Sequence, residues 1–145
     1  MSNLDVLLGN ISVDDRGEVL FVNSFDFPGI VRFHQITNHN KSSVRAWYGH
    51  EHGTVYAFVA KGTAMFGIMP IVGAEELTEE NCKVYIISSK RPRILCIPAG
   101  YYYGFKALDD GCMVQMFSTQ TLEESREDTL KKPWNFWNIW NVKYR

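Results

Sequence analysis

The densest set of chemically capable side chains lies between Ser43 and His52, in the stretch SVRAWYGHEH. Successive residues of a strand point to opposite faces. A strand here would therefore carry Val44, Ala46, Tyr48, His50 and His52 on one face, and Arg45, Trp47 and Gly49 on the other. Burying a tyrosine and two histidines costs free energy unless hydrogen bonds or water satisfy their polar atoms. The pattern indicates either a wet cavity or a polar core with its hydrogen bonds made.

A second stretch, IPAGYYYGFK at residues 97–106, has a similar concentration of aromatic and polar side chains after a turn. If the two stretches face one another, they enclose a pocket. Such a pocket, with a few polar groups among apolar ones, is typical of a small-molecule site. We therefore expect a small-molecule ligand.

Composition limits the classes of partner. The chain has 145 residues, of which 46% are hydrophobic and 21% charged, and its formal net charge is -1. These values are ordinary for a globular domain. The balanced charge gives no electrostatic reason to expect nucleic acid or an anionic membrane as a partner.

The cysteines and the N-terminal residues bear on location. The three cysteines, Cys82, Cys96 and Cys112, are odd in number and lack CxxC spacing, so we expect buried free thiols. No basic, apolar signal-like run follows Met1, and no stretch has the roughly 20 apolar residues of a membrane span. These features predict a cytoplasmic protein.

Short strands separated by turns make up the rest of the pattern. A helix is expected only over 121–130, and an acidic surface loop with one helical turn over 73–82. Strands are predicted at 18–22, 30–37, 43–52, 54–60, 63–69, 84–88, 93–97 and 112–118. Many short strands with Gly, Pro and Asp turns indicate an all-β sandwich or barrel. We expect one domain over 1–145.

The C-terminal segment from Pro133 is unusually aromatic. Trp134, Trp137 and Trp140 follow one another at intervals of three. Such a segment is expected to pack on the barrel or across a dimer interface, and one of its tryptophans could also close the pocket.

The two central stretches resemble motifs of one cupin branch, the dTDP-4-dehydrorhamnose 3,5-epimerases and dTDP-sugar 3,4-ketoisomerases. Residues 45–50, RAWYGH, are similar to that family's Arg-Gly-aromatic-His-x-His, and 97–105 to its Ile-Pro-Pro-Gly-x-x-His-Gly-Phe. Asp15-Arg16-Gly17 and Pro133-Trp134-Asn135 match further elements, so the resemblance spans nearly the whole chain. It implies a double-stranded β-helix, or jelly-roll, barrel with a short helical, Trp-rich tail.

The wider cupin resemblance bears on metal binding. Metal-binding cupins supply two histidines and an acid from the first motif, and a third histidine from the second. Here His50 and His52 are present, but Tyr103 stands at the position of the third histidine and no glutamate follows His52 in the next strand. Transition metals want at least three such donors, so we expect no metal and no cofactor.

The resemblance also implies catalytic groups that this chain lacks. Family chemistry is proton abstraction beside a ketone in a nucleotide-linked sugar, with the enolate oxygen stabilised. The implied base is replaced by Tyr48, the implied tyrosine acid falls near Gln120 and Thr121, and the base's acidic partner falls at Asn135. The implied lysine falls near Val55. The 3,5-epimerase mechanism is therefore not expected.

Seven residues remain as candidates. We assign His50, Tyr48 and Tyr103 as catalytic, and Arg45, Arg32, His34 and Trp47 as substrate-binding. Each has a structural alternative. Arg45 could contact a phosphate or sugar, or pair with a structural carboxylate. His50 could be a base, an acid or a binding group, or a hydrogen-bonded barrel residue, and the tyrosines could line the pocket without reacting.

Two functional hypotheses follow. The first is an isomerase-type protein acting on a nucleotide-linked 4-keto-6-deoxysugar for surface-polysaccharide assembly, with His50 moving the proton while Arg45 and Tyr48 polarise the carbonyl. The second is a non-catalytic nucleotide-sugar or glycan binding module, or scaffold, that has lost the base. A homodimer is expected in both cases, because family members pair through sheet edges and a bare aromatic tail would favour aggregation.

Overall fold

The computed structural model describes residues 3–142, which form two five-stranded antiparallel sheets, a two-stranded hairpin and one short helix. The helix α1 covers Leu122–Asp128. The strands are β1 Asp5–Leu8, β2 Asn10–Asp14, β3 Gly17–Phe21, β4 Arg32–Asn38, β5 Val44–His50, β6 Val55–Lys61, β7 Thr63–Pro70, β8 Lys83–Ser88, β9 Arg93–Ile97, β10 Tyr101–Ala107, β11 Cys112–Ser118 and β12 Thr129–Lys131. The expected all-β jelly-roll architecture is confirmed.

The two large sheets enclose the core. Their strand orders are β1-β9-β6-β11-β4 and β12-β5-β10-β7-β8, while β2 pairs only with β3. The core is formed by inward side chains of both sheets, among them Ala57, Val59, Phe66, Ile68, Leu95, Ile97, Phe105, Val114 and Met116. Alternation in and out along each strand gives the apolar interior of a sandwich or barrel. The core thins towards β4 and β5, where polar side chains take its place.

The eight predicted strands lie close to their predicted positions, but four strands were not predicted: β1, β2, β10 and β12. The sequence placed 101–106 after a turn without assigning a strand, whereas β10 lies at the centre of the second sheet between β5 and β7. Residues 129–131, expected at the end of the helix, form β12 beside β5. The loop 73–82 contains two short 3-10 turns, Ala74–Glu76 and Glu79–Asn81.

A β-bulge in β5 overturns the predicted assignment of faces. Tyr48 pairs with Tyr103 and Arg45 pairs with Phe105, so Ala46 and Trp47 together oppose the single residue Gly104. The extra residue shifts the alternation. Arg45, although exposed, therefore lies on the same face of the sheet as Tyr48, whereas the sequence pattern had placed these two side chains on opposite faces.

Trp47 lies on the outer side of the second sheet, opposite Tyr48, as the two-residue alternation predicted. Its side chain is fully buried, with ring centroids 5.3 Å from Trp137 and 5.2 Å from Trp140. The Nε1–H of Trp47 lies 3.2 Å from the carbonyl oxygen of Trp134 and 3.3 Å from that of Trp137. The tail thus packs on the barrel. This is the first of the two arrangements predicted from the sequence, the other being packing across a dimer interface.

Gly104 permits the bulge, and its replacement tests this role. A Cβ at position 104 would lie 2.9 Å from the Ala46 Cα and closer still to the Ala46 Cβ. We expect Gly104→Ala to lower the free energy of unfolding by about 1–3 kcal/mol, the usual cost of overpacking. Urea denaturation of the two proteins measures this difference. An unchanged midpoint would show that β5 accepts a Cβ there without moving.

Candidate functional site

An interior cavity of about 150 Å³ lies where the core becomes polar, between β4, β5, β10 and β11. Its wall is formed by His34, Ile36, Arg45, Tyr48, Tyr103, Phe105 and Met116. A water molecule takes about 30 Å³, so the space suits about five waters or one sugar-sized ring. Both sequence stretches contribute to this wall, but as adjacent strands of one sheet: β5 and β10 lie side by side and do not face one another.

The tautomer of His34 follows from its partner. Arg32 Nη1 lies 3.3 Å from His34 Nδ1. A guanidinium can only donate, so Nδ1 accepts this bond and the proton of the neutral ring is on Nε2. Burial, and then the charge of Arg32, lower the pKa of His34. His34 is therefore a neutral hydrogen-bond donor in the cavity wall.

His50 follows Tyr48 on the same face of β5 and is 7% exposed. It does not form part of the cavity wall, but its ring centroid is 5.9 Å from that of Tyr103, which does. Burial lowers the pKa of His50, the charge of Asp128 works to raise it, and the charge of Arg32 adds to the lowering. The result is a neutral imidazole with a carboxylate positioned to stabilise its protonated form.

Asp128, at the end of α1, is a residue that the sequence reasoning missed. Its carboxylate accepts hydrogen bonds from the backbone N–H groups of Glu51, His52 and Gly53, and from Gln120 Nε2. Burial works against the charge, but these bonds outweigh it and lower the pKa of Asp128. The loop after β5 is thus fixed by an anion that also faces His50. No motif marks this role, because it depends on how α1 folds back on β5.

Tyr48 and Tyr103 stand on opposing strands, with ring centroids 6.3 Å apart. Burial, followed by the neighbouring Tyr48, raises the pKa of Tyr103 far above the ordinary tyrosine value. Its phenol stays protonated at neutral pH. Tyr103 can therefore donate a hydrogen bond to a ligand oxygen, but it cannot act as the resting base.

A larger open groove of about 430 Å³ adjoins the cavity and shares Arg45 and Tyr48 with it. We call it the outer groove. Its lining is Thr37, Asn38, His39, Asn40, Ser43, Val44, Arg45, Ala46, Tyr48 and Trp134, with no Asp or Glu among these ten residues. Arg45 thus supplies a positive charge at the boundary between cavity and groove, without a carboxylate in the groove lining.

Arg45 is held by Asn38 rather than by an acid. Its Nε donates to Asn38 Oδ1 at 3.2 Å. Asn38 is 3% exposed, and its Nδ2 is buried without a hydrogen-bond partner among residues 3–142. Buried polar groups are nearly always paired, so each exception needs an explanation. Among the described residues, Arg45 forms no ion pair with a carboxylate. The structural alternative that the sequence left open for Arg45 is therefore not observed.

The structure brings together most of the predicted site residues. His34, Arg45, Tyr48 and Tyr103 line the cavity, and the charge of Arg32 acts on both His50 and Tyr103. Trp47 is the exception. Its side chain is fully buried in the outer tryptophan cluster and does not line the cavity, so its predicted role in substrate binding is not proposed further.

The positions at which the resemblance implied further catalytic groups are occupied by structural residues. Gln120 bonds Asp128, and Thr121 is the N-cap of α1, where it accepts from Glu124 N. Val55 is buried in the core, and Asn135 is exposed. Among the described residues, the side chains available near the cavity are thus two imidazoles, two phenols and two guanidinium groups.

The described part of the chain contains neither of two further classes of feature, a metal-ligand cluster and a membrane-spanning helix. Residues 3–142 contain no group of three or more His, Cys, Asp or Glu placed to hold a metal ion. They also contain no helix long and apolar enough to cross a membrane. Cys96 and Cys112 are buried and Cys82 is partly exposed, and burial raises the pKa of the Cys82 and Cys112 thiols to about 11.

Solved structures of dTDP-sugar isomerases share this fold. A Bacillus anthracis dTDP-4-dehydrorhamnose 3,5-epimerase, solved with TDP and PPi, has a TM-score of 0.72 and 18% identity, over 92% of this chain and 84% of that one. A Thermoanaerobacterium thermosaccharolyticum 3,4-ketoisomerase, solved with TDP-4-keto-6-deoxyglucose, has a TM-score of 0.69 and 14% identity, over 91% and 89%.

A third match is an epimerase of Mycobacterium tuberculosis, with a TM-score of 0.69 and 13% identity over 87% of this chain. The match spans 66% of that enzyme, just under two thirds of its length. Neither family models nor curated proteins give a match to this sequence. At these identities the likenesses establish the cupin fold.

The two buried imidazoles predict how stability depends on pH. The folded chain holds the pKa of His34 and His50 below the ordinary value of 6.5, so the unfolded chain binds protons first. The free energy of unfolding is expected to fall as the pH drops below about 6.5. Urea denaturation at pH 7.5 and 5.5 measures this loss.

The double variant His34→Gln/His50→Gln should flatten that dependence. His39→Gln, which removes an exposed loop histidine, is the matched control and should keep it. Equal slopes in the double variant and the wild type would contradict the assignment.

Proposed function

We propose that this protein binds a nucleotide-linked 4-keto-6-deoxysugar and isomerises the sugar in the interior cavity. The observation that carries the proposal is the grouping of His34, Arg45, Tyr48 and Tyr103 around a space for one ring. His50 lies next to this wall, with its ring centroid 5.9 Å from that of Tyr103. The fold shared with dTDP-sugar epimerases and ketoisomerases supports this substrate class.

His50 is the proposed base. A base must accept the proton next to the ketone and hold the charge that results. The carboxylate of Asp128 favours the charged form of His50, whereas Arg32, bonded to His34 Nδ1, disfavours charge on His34. His34 therefore serves as the Nε2–H donor that orients the sugar.

The enolate oxygen needs hydrogen-bond donors that are already in place. Arg45 and Tyr48 fill this role, because both line the cavity, and the protonated Tyr103 opposite adds a third donor. A 3,4-ketoisomerisation proceeds through the 3,4-enediol: one imidazole takes the proton from C3, the proton of the O3 hydroxyl passes to O4, and the imidazole returns its proton to C4 on the same face. Epimerisation needs an acid on the opposite face, and Gln120 and Thr121 supply none.

The outer groove is the proposed place of the nucleotide. A nucleotide sugar exceeds the volume of the cavity, since pockets for ligands of that size usually measure 300–1,000 Å³. We place the diphosphate at Arg45, whose Nε is held by Asn38 and whose terminal nitrogens remain for the anion. A guanidinium matches phosphate geometry.

A second candidate function is a binding module without turnover. It is favoured by Tyr48, Gln120 and Asn135 at the positions of the implied catalytic groups. In that case the same pocket retains a nucleotide sugar or glycan, or supports a partner enzyme, and His50 is only a hydrogen-bonding group. The two candidates differ in exchange of the sugar's carbon-bound protons.

We further propose that the protein is a homodimer that works in the cytoplasm in surface-polysaccharide assembly. Strand β4 is at the edge of its sheet, and its Phe33 is 53% exposed, as are Phe27 and Val31 nearby to a similar degree. Exposed edges of this kind are usually covered.

Ligand binding is tested first by thermal stability with dTDP-, UDP- and GDP-linked 4-keto-6-deoxysugars. A ligand that binds only the folded chain, at about 100 times its Kd, should raise Tm by roughly 5–10 °C. Arg45→Ala should remove most of this rise. Arg91→Ala, which removes an exposed arginine between β8 and β9, is the control and should keep it. No rise with any of the three sugars sinks the proposal.

Catalysis is tested by deuterium exchange at C3 and C5 of the bound sugar, followed by NMR. We expect exchange at C3, and its rate in His50→Asn should fall by about 10²–10⁴-fold, the usual contribution of general base catalysis. Binding, measured by the Tm rise, should persist in that variant. A wild-type protein that binds without exchange is the binding module.

A further inference from the structure

Trp134 differs from the other tryptophans of this chain. Trp47, Trp137 and Trp140 are 0–2% exposed, whereas Trp134 is 50% exposed. Its backbone is nevertheless fixed, because its carbonyl oxygen accepts the Nε1–H groups of Trp47 at 3.2 Å and Trp140 at 3.1 Å. The indole ring of Trp134 is thus exposed to solvent, while its backbone is held in place by two hydrogen bonds.

The position of Trp134 relates it to the proposed ligand path. It lines the outer groove together with Arg45 and Tyr48, which also border the cavity. It also lines the next depression along the surface, of about 450 Å³, with Ser42, Lys106, Asn138 and Asn141. Arg45 and Tyr48 do not line that depression, whereas Trp134 and Val44 line both, so Trp134 lies where the outer groove meets the next depression.

A nucleotide sugar has a fixed order of parts, which is sugar, diphosphate, ribose and base. With the sugar in the cavity and the diphosphate at Arg45, the base lies farther out along the groove. The aromatic side chain at that end is Trp134. Aromatic side chains stack on bases, and they do so with little dependence on base identity.

We infer that Trp134 is the platform on which the nucleobase of the ligand stacks. The inference rests on the proposed function, because it takes the sugar to lie in the interior cavity. It explains why one member of an otherwise buried tryptophan cluster stays exposed beside the groove. It also gives the Trp-rich tail a role in binding in addition to its packing on β5.

The ring of Trp134 can be removed without breaking the tail's hydrogen bonds. Both indole donors bind its backbone carbonyl oxygen, so Trp134→Ala keeps those acceptors. Trp134→Phe keeps an aromatic face. Phe136→Ala is the matched control, since Phe136 is an exposed tail aromatic that lines neither the outer groove nor the next depression.

The experiment is isothermal titration of the full-length wild type and these variants with dTDP and with inorganic pyrophosphate. Trp134→Ala should weaken dTDP binding about 5- to 150-fold, the range for loss of one base–aromatic stack. Pyrophosphate has no base, so its Kd should change less than about twofold. Trp134→Phe should recover most of the affinity for dTDP, and Phe136→Ala should bind both ligands as the wild type does.

Two results would overturn the inference and are distinguishable. If the wild type binds dTDP and Trp134→Ala binds it equally well, the base lies elsewhere while the proposed function stands. If both ligands weaken together in Trp134→Ala, the ring supports the diphosphate site through structure, and base stacking is rejected. A wild type that binds neither ligand removes the proposed function along with the inference.

Discussion

The β-bulge opposite Gly104 is the constraint on which the rest of the structure depends. One extra residue in β5 lets Arg45 share the inner face of the sheet with Tyr48 while Trp47 lies on the outer face. A regular strand would place Arg45 and Trp47 on one face, so either Arg45 would leave the cavity wall or the indole of Trp47 would leave the tryptophan cluster. The same backbone feature therefore creates the polar site and provides the anchor for the C-terminal tail. It can exist only where position 104 lacks a Cβ, because that atom would overlap Ala46.

The polar interior costs little free energy of folding, because most of its buried titratable side chains are uncharged. His34 and His50 are neutral, and Tyr103 stays protonated, so burial of these side chains does not bury their charged forms. Arg32 and Asp128 then differentiate the two imidazoles, one by bonding His34 and the other by favouring a proton on His50. Two chemically identical side chains thereby acquire different proposed roles, one as donor and one as base.

The tail and the site share a strand. Trp47 is packed against Trp137 and Trp140 on the outer side of β5, while Tyr48 and His50 face inward from the same strand. Strand β12 pairs with the other edge of β5 and brings the end of α1, with Asp128, close to His50. The C-terminal third of the chain thus holds the strand that carries most of the candidate site residues.

The sequence by itself determined the all-β architecture and most strand positions, and it marked two stretches that both contribute to the cavity wall. Two-residue alternation, turn residues and the family resemblance carry that information locally. Tertiary structure decided what local pattern could not: the bulge that placed Arg45 on the same face as Tyr48, the bond that set the His34 tautomer, and the approach of Asp128 to His50. These depend on which residues oppose each other across strands. A one-residue shift in pairing reverses every face beyond it, and a single sequence does not show where that shift falls.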